Sequence, residues 1–255
     1  MTNTLYCTDF YADHGDRSLE SARVVAPLVL QAASIKSVID IGCGIGTWLR
    51  AFSENGVEVI RGVDGDYVNP SQLCIAPEYF TSADLAKPLN LEDRYDLAVC
   101  LEVAEHLDAR AGSELIGSLT KLAQLVLFSA AAPGQGGIGH VNEQWPGYWR
   151  RLFEARGFKM LDLLRPVIRE DRRVEWWYRQ NIVLFAEKAA ISANPKLQEF
   201  SDSRGTTRDA NAIEWVHINM LTPPHAGVRN LLAHLRPILG RAIWKRLNIT
   251  SAGAR

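Results

Sequence analysis

The chain has no C-x-x-C pair. Its four cysteines stand far apart, at Cys7, Cys43, Cys74 and Cys100. That spacing argues against a thiolate zinc cluster or a disulfide framework, and it suits a reducing compartment. Long apolar runs are missing too, since no window reaches the length of a membrane span. The opening MTNTLYCTDFYADHGDR has no apolar leader core, so a cytoplasmic protein without a signal peptide is expected. An excess of one charge is also absent. Lysine and arginine total 28 against 29 acidic residues, a net charge of −1, so no global field favours nucleic acid or an anionic surface. No internal repeat is found. What is present, 47% hydrophobic and 22% charged residues in 255, is ordinary globular composition. It allows one large domain with appendages, or at most two.

Apolar runs alternate with helical stretches along most of the chain. Residues 18–33 read as an apolar helix, interrupted or kinked at Pro27. Strands are expected at 37–42, 57–64, 79–84, 95–102 and 124–131, with two more in FKMLDLLR (158–165) and NIVLFAEK (181–188). Helices are expected at 47–56, 112–123 and 148–157, the first and last closed by Gly56 and Gly157. Strands separated by helices imply crossover connections. The expected fold is therefore α/β, a doubly wound, mostly parallel, seven-stranded Rossmann-like sheet.

The expected organisation is a helical cap or lid over 1–34 and a core over 35–190. A linker or mobile excursion over 191–222 and an amphipathic helical extension over 223–255 follow. Residues 191–212 are polar and irregular. In 226–247, Val228, Leu231, Leu232, Leu235, Ile238, Leu239, Ala242 and Ile243 form a helical stripe interspersed with arginines. That stripe fits packing on the domain, a homodimer contact or a peripheral membrane contact. Pro237 and Gly240 weaken a single continuous helix.

VIDIGCGIG (38–46) carries the main signal. A strand runs into Gly42, Gly44 and Gly46, and a helix opens at Thr47. Glycines let a backbone approach a ligand closely. The spacing is G-x-G-x-G, with Thr47 where a dinucleotide fingerprint wants its third glycine. Asp40, two residues before the first glycine, would repel a pyrophosphate but could accept from an ammonium group. Asp64 ends the second strand about twenty residues on, placed to accept a ribose diol. Asp84 ends the third strand, placed to receive an exocyclic amine.

An ammonium, a ribose diol and an adenine amine describe S-adenosylmethionine (SAM). Over residues 35–187 the chain resembles the class I SAM-dependent methyltransferases, with D-x-G-x-G-x-G, two strand-end acids and E-x-x-E-H-L in order. The resemblance implies the backbone of Gly42, Cys43 and Gly44 near the methionine part, Asp64 on the ribose, and Asp84 with Leu85 at the adenine. Asp40, Gly46 and Leu101 complete the expected cofactor site. It also implies that FYADHGDR (10–17) folds over the pocket, with Tyr11, His14 and Arg17 as candidates.

LEVAEHL (101–107) brings Glu102, Glu105 and His106 together after the fourth strand. In a helix, positions i, i+3 and i+4 would share a face. Many methyltransferases of this class carry an E-H-L triplet there with no metal. A similar run in the small-RNA 3′-terminal 2′-O-methyltransferases is joined by a histidine after the fifth strand, and together these hold a divalent metal over a sugar diol. Here His140, in GHVNEQW (139–145), takes that place. The resemblance therefore implies a metal set of Glu102, Glu105, His106 and His140, whose carboxylate share tilts towards magnesium and other hard ions. Without a metal, His140 or His106 becomes the general base, with Glu105 beside it as a further catalytic candidate.

Trp176, Trp177 and Tyr178, with the loop residues Asn142, Glu143, Gln144 and Trp145, suit a saccharide-like acceptor and equally suit core packing. VNEQWPGYW and EWWYRQN also bear a loose likeness to methyltransferases of bacterial glycan and secondary-metabolite pathways. The expected activity is O-methylation of a sugar or glycosylated small molecule. Two alternatives stand beside it. One is methylation of a terminal RNA ribose, which needs a basic patch such as Arg150, Arg151, Arg165, Arg169, Arg172 and Arg173. The other is a non-catalytic SAM-binding subunit acting through its C-terminal helix.

Overall fold

Short β-branched runs flanked by glycine turns and amphipathic helices have one economical solution, a sheet covered on both faces. A computed structural model of the chain describes residues 8–89 and 91–203, with side chains over 16–89 and 91–202. The strands are β1 (Ser37–Ile41), β2 (Val59–Asp64), β3 (Phe80–Ser82), β4 (Tyr95–Leu101), β5 (Ala123–Ser129), β6 (Phe158–Leu161) and β7 (Val183–Glu187). They form one sheet in the order β3-β2-β1-β4-β5-β7-β6. The first five are parallel, and β7 runs antiparallel between β5 and β6.

Successive strand residues point to opposite faces, and both faces are apolar. Val38, Leu97, Val99, Leu125, Leu127 and Leu184 pack on one side beneath α1 (Thr8–Ala32) and α2 (Thr47–Glu54). Ile39, Ala98, Cys100, Val126, Phe128 and Phe185 pack on the other beneath α3 (Ala109–Leu122) and α4 (Pro146–Glu154). There Phe153 stacks on Phe185 with ring centroids 3.8 Å apart. Each buried Val, Leu, Ile or Phe among them contributes about 1.5–3 kcal/mol of transfer free energy. This rigid slab fixes where the strand ends, and so the site, must lie.

Several local expectations are corrected. The first helix starts at Thr8, well before residue 18, and continues past Pro27. Burial of Leu19, Ala22, Val25, Ala26 and Val29 against the core sustains it. The third strand shrinks to Phe80–Ser82 at the sheet edge. FKMLDLLR is a strand only to Leu161, because Arg165 turns inward in α5 (Arg165–Ile168). There it pairs bidentately with Asp162 at 2.8 and 2.6 Å. EWWYRQN forms the short helix α6 (Trp176–Asn181). As far as residue 203, the polar stretch read as irregular from 191 is helical. It forms the end of α7 (Lys188–Ala193) and then α8 (Pro195–Ser203), anchored by buried Ile191 and Leu197. The rest of that stretch and the C-terminal amphipathic segment lie outside the described residues, as do the side chains of Tyr11 and His14. Among the described residues no helix is long and apolar enough to cross a membrane.

Candidate active site

In a doubly wound sheet, ligands bind beyond the carboxyl ends of the strands where strand order reverses. Here that point lies between β1 and β4. A cleft of about 1190 Å³ opens there, lined by the glycine loop, the ends of β2 and β4, the 133–140 loop and α6.

The glycine loop is built by close approach. Gly42 (φ +84°) donates to Val63 O at 2.8 Å, and a Cβ on it would lie 2.2 Å from Val103 Cγ2. Gly44 (φ +52°) donates its amide to Asp64 Oδ2 at 2.6 Å. Asp64 also accepts from Gly65 N at 2.6 Å and from the Tyr67 hydroxyl. Burial raises the Asp64 pKa, and these three donors pull it back. Asp40, buried and lining the cleft, is pushed well above the usual carboxylate range by burial and then by the charge of Asp64. Burial likewise raises the Cys43 thiol, whose Sγ rests over Gly62.

Leu85 and Leu101 line the cleft. Asp84 does so too, but it is exposed, ion-paired with Lys87 at 2.9 Å and accepting from Ala86 N at 3.0 Å. The hydrogen bond from Lys87 lowers its pKa. Gly46 does not line the cleft. It is the left-handed cap of α2, packed where a Cβ would meet Ile75 at 2.9 Å.

LEVAEHL does not form an α-helix. Glu102 alone among the described non-glycine residues has positive φ, at +56°, and only Ala104–His106 make a 3-10 turn. This backbone turn separates the two carboxylates' roles. Glu102 is tied by Gln135 Nε2 to Oε2 at 2.8 Å and by Asn181 Nδ2 to Oε1 at 3.2 Å. Its pKa is raised by burial, with neighbouring side-chain hydrogen-bond donors opposing. Glu105 is fully buried, and its Oε1 accepts from Ala131 N at 3.2 Å. Its Oε2 has no hydrogen-bond partner. Burial, then the neighbouring Glu102 charge, pushes its pKa well up. His106 is held neutral by burial and then by repulsion from His140.

Of the four expected metal ligands the structure brings three together. Ligand atoms of Glu105, His106 and His140 lie within 4.8 Å of one another. The two imidazoles meet edge to face at 4.8 Å between centroids. Glu102 is outside that group, held by its amides. One carboxylate with an orphaned buried oxygen and two imidazoles fit a divalent cation.

Sequence reading did not find the residues that hold these groups. Glu143 Oε1 pairs with His140 Nδ1 at 3.0 Å, while the same carboxylate accepts from Gly134 N and Gly136 N at 2.7 and 2.8 Å. Nε2 of His140 sits where a Cβ on Gly137 would come within 2.3 Å. Gln135, Asn181 and Tyr67 are likewise second partners. Their signal exists only in three dimensions.

The chain matches the family model described as "Methyltransferase domain" over residues 13–149 and belongs to that family. With this sheet order, family and fold define a Rossmann-like, SAM-dependent methyltransferase. Among solved structures it is similar to a SAM-bound amino pentose methyltransferase from Micromonospora echinaspora. That match has 13% identity, covers 74% of this chain and all of that one, and has a TM-score of 0.52. A magnesium protoporphyrin IX methyltransferase from Synechocystis with bound S-adenosylhomocysteine (SAH) matches at 17%, over 68% and 84% of the two chains, with a TM-score of 0.50. An O-methyltransferase family protein from Burkholderia thailandensis matches at 15%, over 70% and 58%, with a TM-score of 0.53. No curated protein sequence matches the chain.

Proposed function

We propose that the protein transfers the SAM methyl group to a hydroxyl of a sugar-like small molecule at the Glu105–His106–His140 end of the cleft. The observation that carries this reading is the convergence of those three side chains beyond the glycine loop. In it, Asp64 receives the ribose, Asp40 and the backbone of Gly42, Cys43 and Gly44 face the methionine part, and Leu85, Asp84 and Leu101 border the adenine.

A divalent cation would be held by Glu105, His106 and His140, and when bound it would lower the pKa of an acceptor hydroxyl. The rest falls to the chain's own groups. Trp176 and Trp177, half-buried at the cleft wall, offer ring faces to a sugar. Where no cation occupies that set, His140, oriented through Nδ1 by Glu143, offers Nε2 to take the hydroxyl proton. The acceptor oxygen then bonds to the methyl carbon as the carbon–sulfur bond breaks, leaving a neutral sulfide. In-line placement supplies most of the rate.

The test is metal content, and metal binding by the demetallated protein, with SAH present, repeated for Glu105→Ala and His140→Ala. Stoichiometric metal lost in both variants is the expected result. No metal with SAH affinity intact would remove the cation from this reading and leave His140 as a plain base.

A further inference from the structure

The loop that brings His140 to the cleft is pinned on both sides. Gly134 N and Gly136 N donate to the Glu143 carboxylate at 2.7 and 2.8 Å. Val141 N and Asn142 N donate to Glu105 O at 2.9 and 3.0 Å, and Asn142 is buried. Held by these ties, the loop nevertheless presents two aliphatic side chains to water, Ile138 at 63% exposure and Val141 at 69%. Single exposed apolar residues are ordinary on a protein surface. These two stand out by their placement. They flank His140 in the chain, and Ile138 itself borders the cleft.

A second apolar surface stands on α6. Trp176 and Trp177, both half-buried, border the same cleft. Gln135 ties that helix to the loop, its Oε1 accepting from Asn181 Nδ2 at 2.8 Å and from Gln180 Nε2 at 3.4 Å. The helix that carries the indoles is thus fastened to the segment that leads into Ile138. A hydroxyl-bearing group alone gains nothing from aliphatic side chains held at the rim. An acceptor with an apolar part takes the area they expose out of water.

We infer that the acceptor is amphipathic, a saccharide-like head whose hydroxyl reaches the Glu105–His106–His140 end of the cleft, continued by an alkyl or aryl aglycone that lies on Ile138 and Val141 at the rim. The inference rests on the cleft being the methyl-transfer site. The head supplies hydrogen bonds and orientation, and the aglycone supplies apolar area. A free monosaccharide lacks that area and is the poorer acceptor. Each methylene taken fully out of water tightens binding about fourfold, and by less at an open rim.

Methyl β-glucoside and hexyl β-glucoside are the probes, titrated into the SAH-saturated protein and followed through tryptophan fluorescence, to which Trp176 and Trp177 in the cleft contribute. SAH affinity is measured first, and its absence would count against the methyltransferase reading rather than against this inference. The expected result is hexyl glucoside bound at least about tenfold more tightly than methyl glucoside. Ile138→Ser combined with Val141→Ser should cut that ratio to about threefold or less and leave SAH affinity within a factor of about two. Both side chains are exposed, so the fold does not depend on them. Val167→Ser is the control, an aliphatic side chain 63% exposed that does not border the cleft, and it should leave the ratio unchanged. A ratio near one in the unaltered protein, or a gain that the double variant keeps, overturns the inference. So does the failure of both glucosides to bind saturably below about 10 mM. Should the ratio stay near one while the double variant turns a dimer into a monomer by light scattering, a second copy of the chain covers the two side chains and the inference fails.

Discussion

Glu143 holds His140 by its Nδ1 nitrogen at 3.0 Å and with the same carboxylate gathers the amides of Gly134 and Gly136. One side chain thus sets both the imidazole and the loop that carries it. Glu143→Gln keeps an acceptor for one donor and loses the charge that favours the Nδ1–H tautomer. Turnover should fall by about 10–100-fold while SAH affinity stays within a factor of about two. Steady-state rates beside SAH calorimetry check this. Equal losses in both would mean that the loop, rather than the base, has failed.

Gly42 is needed for two separate reasons, its φ of +84° and the 2.2 Å that a Cβ would leave to Val103 Cγ2. Gly42→Ala should therefore destabilise the fold by about 1–3 kcal/mol and weaken SAM binding. Adding Val103→Ala removes the clash and leaves the backbone cost. The double variant should recover part of the lost melting temperature and no more. Full recovery would show that the left-handed backbone at Gly42 contributes nothing.

How far the sequence could be read follows from the range of the interactions. The glycine loop, Asp40 and Asp64 are legible because they are adjacent in the chain to strands whose apolar runs announce themselves. The sheet class is legible for the same reason, but the insertion of β7 between β5 and β6 is not, since that pairing joins distant segments. LEVAEHL misleads in its geometry. The i, i+3, i+4 argument presumes an α-helix, whereas Glu102 turns at φ +56° and a single 3-10 turn follows. Three of the four expected ligands still meet, because the turn and the 133–145 loop converge: Val141 N and Asn142 N both donate to Glu105 O, at 2.9 and 3.0 Å. What separates Glu102 from them is a pair of amides 33 and 79 residues away, Gln135 and Asn181. No local pattern encodes such partners.

Asp64 joins the glycine loop to β2 through Gly44 N on Oδ2 and Gly65 N on Oδ1, both at 2.6 Å. Asp64→Asn can accept from only one of these amides and turns an NH₂ towards the other donor. A charge-assisted hydrogen bond contributes about 1.5–3 kcal/mol. SAH affinity should therefore fall by about 10–100-fold, and calorimetry reads it. Tyr67→Phe, which removes one donor and leaves the carboxylate, should cost less. A larger loss in Tyr67→Phe than in Asp64→Asn would mean that the hydroxyl, not the acid, is the ligand contact.

Glu105 sets function against stability. Its folded pKa lies well above the ordinary 4.5 because burial, then the Glu102 charge, disfavours the ionised form. Where the native state binds more protons than the unfolded state, stability falls as pH rises. The contribution of Glu105 is therefore fully favourable below about pH 4.5 and is lost progressively from there up to its raised folded value. His106 works in the opposite sense. Burial holds it neutral, so its cost appears as pH falls below the ordinary 6.5. Glu105→Gln removes the first dependence and keeps the second. In chelator-treated protein its melting temperature should match the parent near pH 5 and exceed it by a few degrees at pH 8, about 1–2 kcal/mol for a chain of this size. Metal-dependent binding and turnover should be lost in the same variant. A melting advantage that shrinks with rising pH would show that Glu105 is ionised in the fold and stabilised by a cation the chain itself provides.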